Sequence, residues 1–230
     1  MPHPFDLENG VRTSGLVAGR FLKTGSPHDR HVTAYYGIAP SVFHALIRQW
    51  RRMRPAFALE EVTLIDIGAG MGRVLLLAAE MPFRAVTGVE MHPALVRIAR
   101  SNLAVWRKTE HVRVPVRVVQ KDAAAFPFPN GPCVALLFNP FGEVVMRRFL
   151  CHCAQSFRGR PGELDLIYIN HEQEHILEQQ KGFVRYFQGK VKRSRSDAKA
   201  DRVILANQPD GEYASSDYED CSIWRWRGRE

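Results

Sequence analysis

The chain has 230 residues, of which 45% are hydrophobic and 24% charged, a length and balance that fit one globular domain and exclude a mainly disordered chain. A chain of this size removes roughly 70 to 75% of its unfolded surface from water, enough for a core without disulfides or a structural metal. Lys and Arg total 32 against 24 Asp and Glu, and the formal charge of +8 favours polyanionic partners without requiring one.

Cys133, Cys151, Cys153 and Cys221 form no paired framework, and the opening MPHPFDLENG lacks the basic and apolar regions of a secretory signal. A reducing, cytoplasmic setting is the expectation. Apolar stretches such as 74–79 and 133–138 fall far short of the roughly 20 residues that span a bilayer, so no membrane partner is expected.

Residues 1–32 are rich in Gly, Pro, Ser and charge without a sustained period, and are expected to form a poorly structured arm or a lid ahead of a single domain over 33–230. Pro40 and Ser41 signal a helix start, after which Val42, Phe43, Leu46, Ile47, Trp50 and Met53 share one face and Arg48, Arg51 and Arg52 the other. Pro55 ends that helix, and 62–67 is a short apolar run that closes on glycines. The pattern then alternates: helix 72–81, strand 85–90, a helix opened by Pro93, strands 116–119 and 133–138, helix 143–157, and strand 164–169. A short helix over 174–180 and a strand over 183–187 follow. Either 203–206 or 223–226 supplies the last strand, the second being favoured, with 208–220 a polar loop. Strands alternating with helices predict an α/β fold, a three-layer sandwich whose mostly parallel sheet carries helices on both faces. Ligands of such sheets bind at the carboxyl ends of the strands.

The most informative stretch is D-x-G-x-G-x-G, from Asp66 through Gly68, Gly70 and Gly72, placed between a strand and a helix. Glycine permits positive φ and lets the backbone pass close against a ligand. A dinucleotide fingerprint needs a third glycine where this chain has Arg73, which argues against a nicotinamide cofactor. The next strand ends at Glu90, whose carboxylate can accept both hydroxyl hydrogens of a ribose. The third delivers Asp122 to the same rim, and the fourth delivers Asn139, Pro140 and Phe141.

With these motifs in this order, residues 33–170 resemble the class I S-adenosylmethionine-dependent methyltransferases, a Rossmann-like family. The resemblance implies a methyltransferase with S-adenosyl-L-methionine as cofactor. Asp66, Gly68, Gly70 and Gly72 would surround its methionine part, Glu90 its ribose, and Met91, Asp122 and Ala123 its adenine. Asn139, Pro140 and Phe141 would stand between methyl donor and acceptor, with Asn139 both cofactor-binding and catalytic. Relatives that methylate exocyclic or amide nitrogens often read Asn-Pro-Pro-aromatic there, whereas Gly142 follows Phe141 here. Tyr35 and Tyr36 lie where the family brings an N-terminal segment over the cofactor, and are candidates for substrate binding. The implied chemistry is an in-line displacement in which Asn139 Oδ1 and the Pro140 carbonyl accept hydrogens from an amine and aim its lone pair. Protein, small-molecule and RNA acceptors all stay open. A non-catalytic RNA- or protein-binding module with the same fold is the competing class.

Two motifs invite a metal reading. His171 to His175 spells H-E-x-x-H, but it begins at a strand end with no placed third ligand. Cys151, His152 and Cys153 lack the C-x-x-C spacing. No metal is expected. The basic runs at Arg51, Arg52 and Arg54 and at Lys190, Lys192, Arg193 and Arg195 read as solvated faces first and nucleic-acid contacts second.

Overall fold

The computed structural model describes residues 2–23, 25, 31–53, 55–207 and 216–228. After helix α1 (Pro4–Asn9) and the short paired strands β1 (Leu16–Val17) and β2 (Tyr35–Tyr36), the chain enters α2 (Pro40–Arg52). There follow β3 (Thr63–Ile67), α3 (Arg73–Ala79), β4 (Ala85–Glu90), α4 (Pro93–Trp106), β5 (Val116–Gln120), β6 (Cys133–Phe138) and α5 (Glu143–Ser156). The last elements are β7 (Leu164–Ile169), α6 (Glu174–Gln179), β8 (Phe183–Lys192), α7 (Arg195–Ala206) and β9 (Tyr218–Trp226).

Strands β3 to β9 form one sheet in the order β5-β4-β3-β6-β7-β9-β8. The neighbours from β5 to β7 are parallel, while β9 runs antiparallel to both β7 and β8. The central strands are buried on both faces, and strict alternation sorts their side chains. Leu64, Val134, Leu136, Ile167 and Ile223 join the core under α2, α3 and α4, while Ile65, Ala135, Leu137, Leu166 and Trp224 join the core under α5 and α6. This is the expected three-layer α/β sandwich. The strand order reverses between β3 and β6, and the crevice at their carboxyl ends is where such a sheet binds ligands.

Prolines open α2 and α4 at their first turns, where a missing N–H costs nothing. The helix predicted over 40–52 buries Val42, Phe43, Leu46, Ile47 and Trp50. Asp165 on β7 ties that helix to the sheet. Its carboxylate accepts Trp50 Nε1 at 2.7 Å and both Nε and Nη2 of Arg225 on β9, at 2.8 and 2.9 Å.

The C-terminal third departs from expectation. Residues 203–206 end helix α7 and are not a strand; the last strand is β9, which holds 223–226 and starts five residues earlier. The strand predicted over 183–187 continues to Lys192 beyond an irregularity between Arg185 and Phe187. Helix α7 begins where the Ser194 hydroxyl accepts the Asp197 N–H at 3.1 Å, a cap written in the sequence as S-x-x-D. Of the loop predicted over 208–220, residues 218–220 are strand and 208–215 lie outside the described residues.

Replacing Asp165 by Ala strands the Arg225 guanidinium and the Trp50 N–H in the interior. The variant is expected to lose about 3–5 kcal/mol in urea unfolding, and Asp165→Asn distinctly less, because its carbonyl still accepts from Trp50.

Candidate functional site

The turn from β3 into α3 carries the site. Gly68 and Gly70 adopt φ of 75° and 54°, a region that β-carbon sterics deny most residues. Neighbours also fill the space a side chain would need. A β-carbon on Gly68 would stand 2.6 Å from Cβ of Pro140, and one on Gly70 would stand 2.1 Å from the Tyr35 ring. One acid secures this bare backbone and a second lies buried beside it. Glu90 accepts the Gly70 N–H through Oε2 and the His92 N–H through Oε1, both at 2.8 Å, so one carboxylate holds the turn and the entry to α4. Asp66, buried beside it on β3, has its carboxyl pushed up to about 8 by burial first and by the Glu90 charge second. Burial also raises Glu90, against the lowering pull of the N–H groups of His92, Gly70 and Met91.

Two cavities open at this rim. Gly68, Glu90, Met91, Asp122, Ala123, Pro140, Phe141, Tyr35 and Tyr36 all line the first. Asn139 and Tyr36 line the second. Asp66, Gly70 and Gly72 border neither; they shape the turn from beneath. Val32, Thr33, Ala34, Tyr36 and Phe138 are shared, so 32–36 and the end of β6 are the wall between the cavities. Asp122 caps the short turn after β5 through the Ala124 N–H at 2.8 Å. Val32, Thr33 and Ala34 are absent from the sequence-derived candidates. No motif marks them, because their place depends on how the N-terminal segment folds back.

That segment, expected as a poorly structured arm or a lid, is folded where it is described. Leu16 and Val17 pair with Tyr36 and Tyr35. The Arg73 guanidinium, 3% exposed, nails it down: Nε donates to Thr13 Oγ1 at 2.7 Å, Nη2 to Ser14 Oγ at 3.0 Å, and Nη1 to the carbonyls of Gly37 and Ile38 at 3.2 and 3.1 Å. Tyr35 donates its hydroxyl to the Thr13 carbonyl at 2.7 Å, and burial raises its phenol well above the usual range. Farther along, Thr33 Oγ1 donates to the Asn139 carbonyl at 2.5 Å and the Gly142 N–H to the His31 carbonyl at 2.9 Å. The wall is thus bonded to the 139–142 loop on one side and to α3 on the other.

Asn139 sits at φ 40° and is 8% exposed; its Oδ1 accepts from the Tyr168 hydroxyl at 3.3 Å. Asn170, at the end of the adjacent β7, repeats the conformation at φ 48°. For non-glycine residues this is costly backbone, retained most often at functional rims.

The remaining motifs resolve into structure. His171 lies three residues before α6 and its Nδ1 is 2.9 Å from Glu174 Oε2, so the two histidines of H-E-x-x-H do not share a helix. Cys151 is exposed and Cys153 buried on α5. Among the described residues no group of three or more His, Cys, Asp or Glu could hold a metal ion. In the basic run, Lys190 and Lys192 are exposed, but Arg193 is buried, 3.3 Å from Asp201 and bonded to Glu219 and the Ser216 carbonyl, so it is no part of a solvated face. No helix among the described residues is long and apolar enough to cross a membrane.

Residues 64–158 match a family described as a methyltransferase domain. A demethylmenaquinone methyltransferase of Thermus thermophilus is 35% identical over 86 residues, which make up 36% of this chain and 36% of that protein. The chain therefore matches little more than a third of that relative's length. Among solved structures, the cyclase SpnF superposes with a TM-score of 0.56 at 19% identity, covering 82% of this chain and 81% of that one. The magnesium protoporphyrin IX methyltransferase of Synechocystis PCC 6803, solved with bound S-adenosylmethionine, gives a TM-score of 0.50 at 14% identity over 82% and 79%. These likenesses show the fold. Residues 64–158 are thus similar to a methyltransferase domain, carried on a fold that the chain shares with solved methyltransferases.

Two outcomes are expected. Asp66 has a folded pKa of about 8, above its ordinary value of 3.8, so the folded ligand-free protein holds a proton there that the unfolded chain gives up. This contribution to stability is full below about pH 4 and lost as pH rises through 8. Asp66→Asn should therefore raise the thermal midpoint of the ligand-free protein most at pH 8–9 and flatten the pH dependence, as calorimetry would show. Arg73→Met removes four hydrogen bonds and should cost about 3–5 kcal/mol in urea unfolding.

Proposed function

We propose that this chain is an enzyme that transfers a methyl group from S-adenosyl-L-methionine to a nitrogen acceptor. The observation that carries the reading is a division between consecutive residues: Pro140 lines the first cavity, Asn139 the second, and Phe138 both. A donor held in one and an acceptor in the other would meet at this loop.

The residues of the first cavity fit the cofactor. Each Glu90 oxygen spends one lone pair on a backbone N–H and keeps another for a ribose hydroxyl. Met91 and Ala123 supply apolar surface for the adenine, and Asp122 an acceptor for its exocyclic amine. Gly68 lets the turn lie flat against the methionine part. Bound there, the sulfonium supplies an electrophilic methyl carbon.

Displacement at that carbon needs a neutral nucleophile held in line about 3 to 3.5 Å away, with water excluded. Asn139 Oδ1 has a lone pair beyond the one taken by Tyr168, and the Pro140 carbonyl stands next to it. Both can accept amine hydrogens and point the nitrogen lone pair at the methyl group. The Tyr168 hydroxyl, itself accepting the Gln173 N–H at 3.2 Å, keeps the carboxamide from turning. A cytoplasmic setting accords with the four free cysteines.

Calorimetric titration with S-adenosylhomocysteine tests the cofactor. Binding in the micromolar range is expected, with none for NAD. Glu90→Gln should weaken it roughly 10- to 100-fold, the worth of charge-assisted hydrogen bonds to two hydroxyls. Absence of binding to well-folded protein would reject the reading. Asn139→Ala should leave this affinity intact and lower kcat about 100-fold or more.

A further inference from the structure

We propose that the second cavity takes the acceptor as an aliphatic ammonium group, drawn in by the carboxylates of Glu172 and Asp220. The inference rests on the methyltransferase reading above and adds the chemical class of its substrate.

The charge at this cavity is opposite to that of the chain. Over 230 residues the formal charge is +8, yet the described ionisable residues lining the cavity are Glu172, Glu219 and Asp220 against Arg20 and Arg193. Arg193 and Glu219 neutralise each other, and Asp201 stands 3.3 Å behind the guanidinium. Arg20 lies 5.0 Å above the Phe21 ring. Glu172 and Asp220 are exposed and make no ion pair with a described residue. Lys190 faces Asp220 across the β8–β9 ladder without forming one. The lining therefore carries two carboxylates without an ion pair to a described residue, on a protein with a basic excess, a field that attracts a cation and repels a phosphodiester.

Asn139 adds an independent observation. The Asn139 carboxamide is 8% exposed, lines the cavity, and has the Tyr168 hydroxyl as its single side-chain partner among the described residues. Its Oδ1 keeps a second lone pair and its Nδ2 has no partner among the described residues, so a ligand in the cavity can engage both. Val32, Leu205, Phe138 and the Tyr36 ring give the otherwise polar lining patches of apolar wall, and the Tyr36 hydroxyl is committed to Asp201 at 2.6 Å. Two carboxylates, apolar wall patches and the Asn139 amide on one cavity fit a methylene chain that ends in an amine.

The chemistry balances. The ammonium gives one proton to water, and the neutral nitrogen forms its bond to the methyl carbon as the carbon–sulfur bond breaks. Sulfur keeps that electron pair. The products are an N-methylammonium and S-adenosylhomocysteine. A small diamine and a protein lysine share this chemistry, and the test separates them.

The full chain, saturated with S-adenosylhomocysteine, is titrated at low salt with 1,5-diaminopentane, with a lysine-rich peptide and with a single-stranded RNA oligonucleotide. The same three probes are then offered with a labelled methyl donor. Saturable binding and labelling of either amine probe is expected, the diamine alone marking a small-molecule acceptor and the peptide a protein one. In E172Q/D220N amine affinity should fall about 10-fold while affinity for S-adenosylhomocysteine stays unchanged. Binding of neither amine, an affinity indifferent to the double variant, or labelling of RNA in their place would overturn the inference. Loss of S-adenosylhomocysteine binding in the unmodified chain would instead reject the methyltransferase reading itself.

Discussion

The site is assembled around a turn that has no side chains of its own to spare. Between β3 and α3 the backbone passes through Gly68 and Gly70 in left-handed conformations, and the space their side chains would occupy is taken by Pro140 and by the Tyr35 ring. One constraint thereby joins three distant parts of the chain: the N-terminal segment, the first crossover, and the loop after β6. A methyl group at Gly68 would push Pro140 away, and with it the wall between the cavities. At Gly70 it would displace Tyr35 and the strand pair that seats Thr33 against the Asn139 carbonyl.

Holding this turn in place requires burying charge, and the protein keeps two acids beneath it. Glu90 satisfies the turn's N–H groups, and Asp66, without a comparable set of donors, is left with a strongly raised pKa. Such a pair destabilises the ligand-free fold and is stabilised again by a ligand that brings hydroxyls or a cation to it. The same economy appears at Arg73 and Arg193, basic residues buried in the protein body that use their donors on carbonyls and acids. These two arginines are therefore structural and say little about the chain's partners.

Local signals explain what could be read in advance. Prolines at the helix starts, the alternating apolar strands and the sharp glycine turn act over a few residues, so β4, β6 and β7 begin and end where expected. The failures lie where local preference was outvoted. The β-branched Val203 and Ile204 suggested a strand, but the Ser194 cap and the packing of Asp197 and Asp201 against the N-terminal segment and Arg193 make the stretch helical. Strand β9 runs on through Tyr218, Glu219 and Asp220 because β8 offers a ladder for its full length, a pairing that polar composition conceals.

By itself, the sequence determined the layer order of the parallel half, the glycine turn and the acids at the strand ends, since each rests on contacts between residues near in the chain or on the period of a strand. Only the tertiary structure decided that the N-terminal segment is a fastened wall, that Asn139 and Pro140 line different cavities, and that Glu172 and Asp220 line one of them without an ion pair to a described residue. Those facts depend on which residues, tens to nearly two hundred positions apart, come into contact at the sheet's carboxyl edge, and no local spacing encodes that.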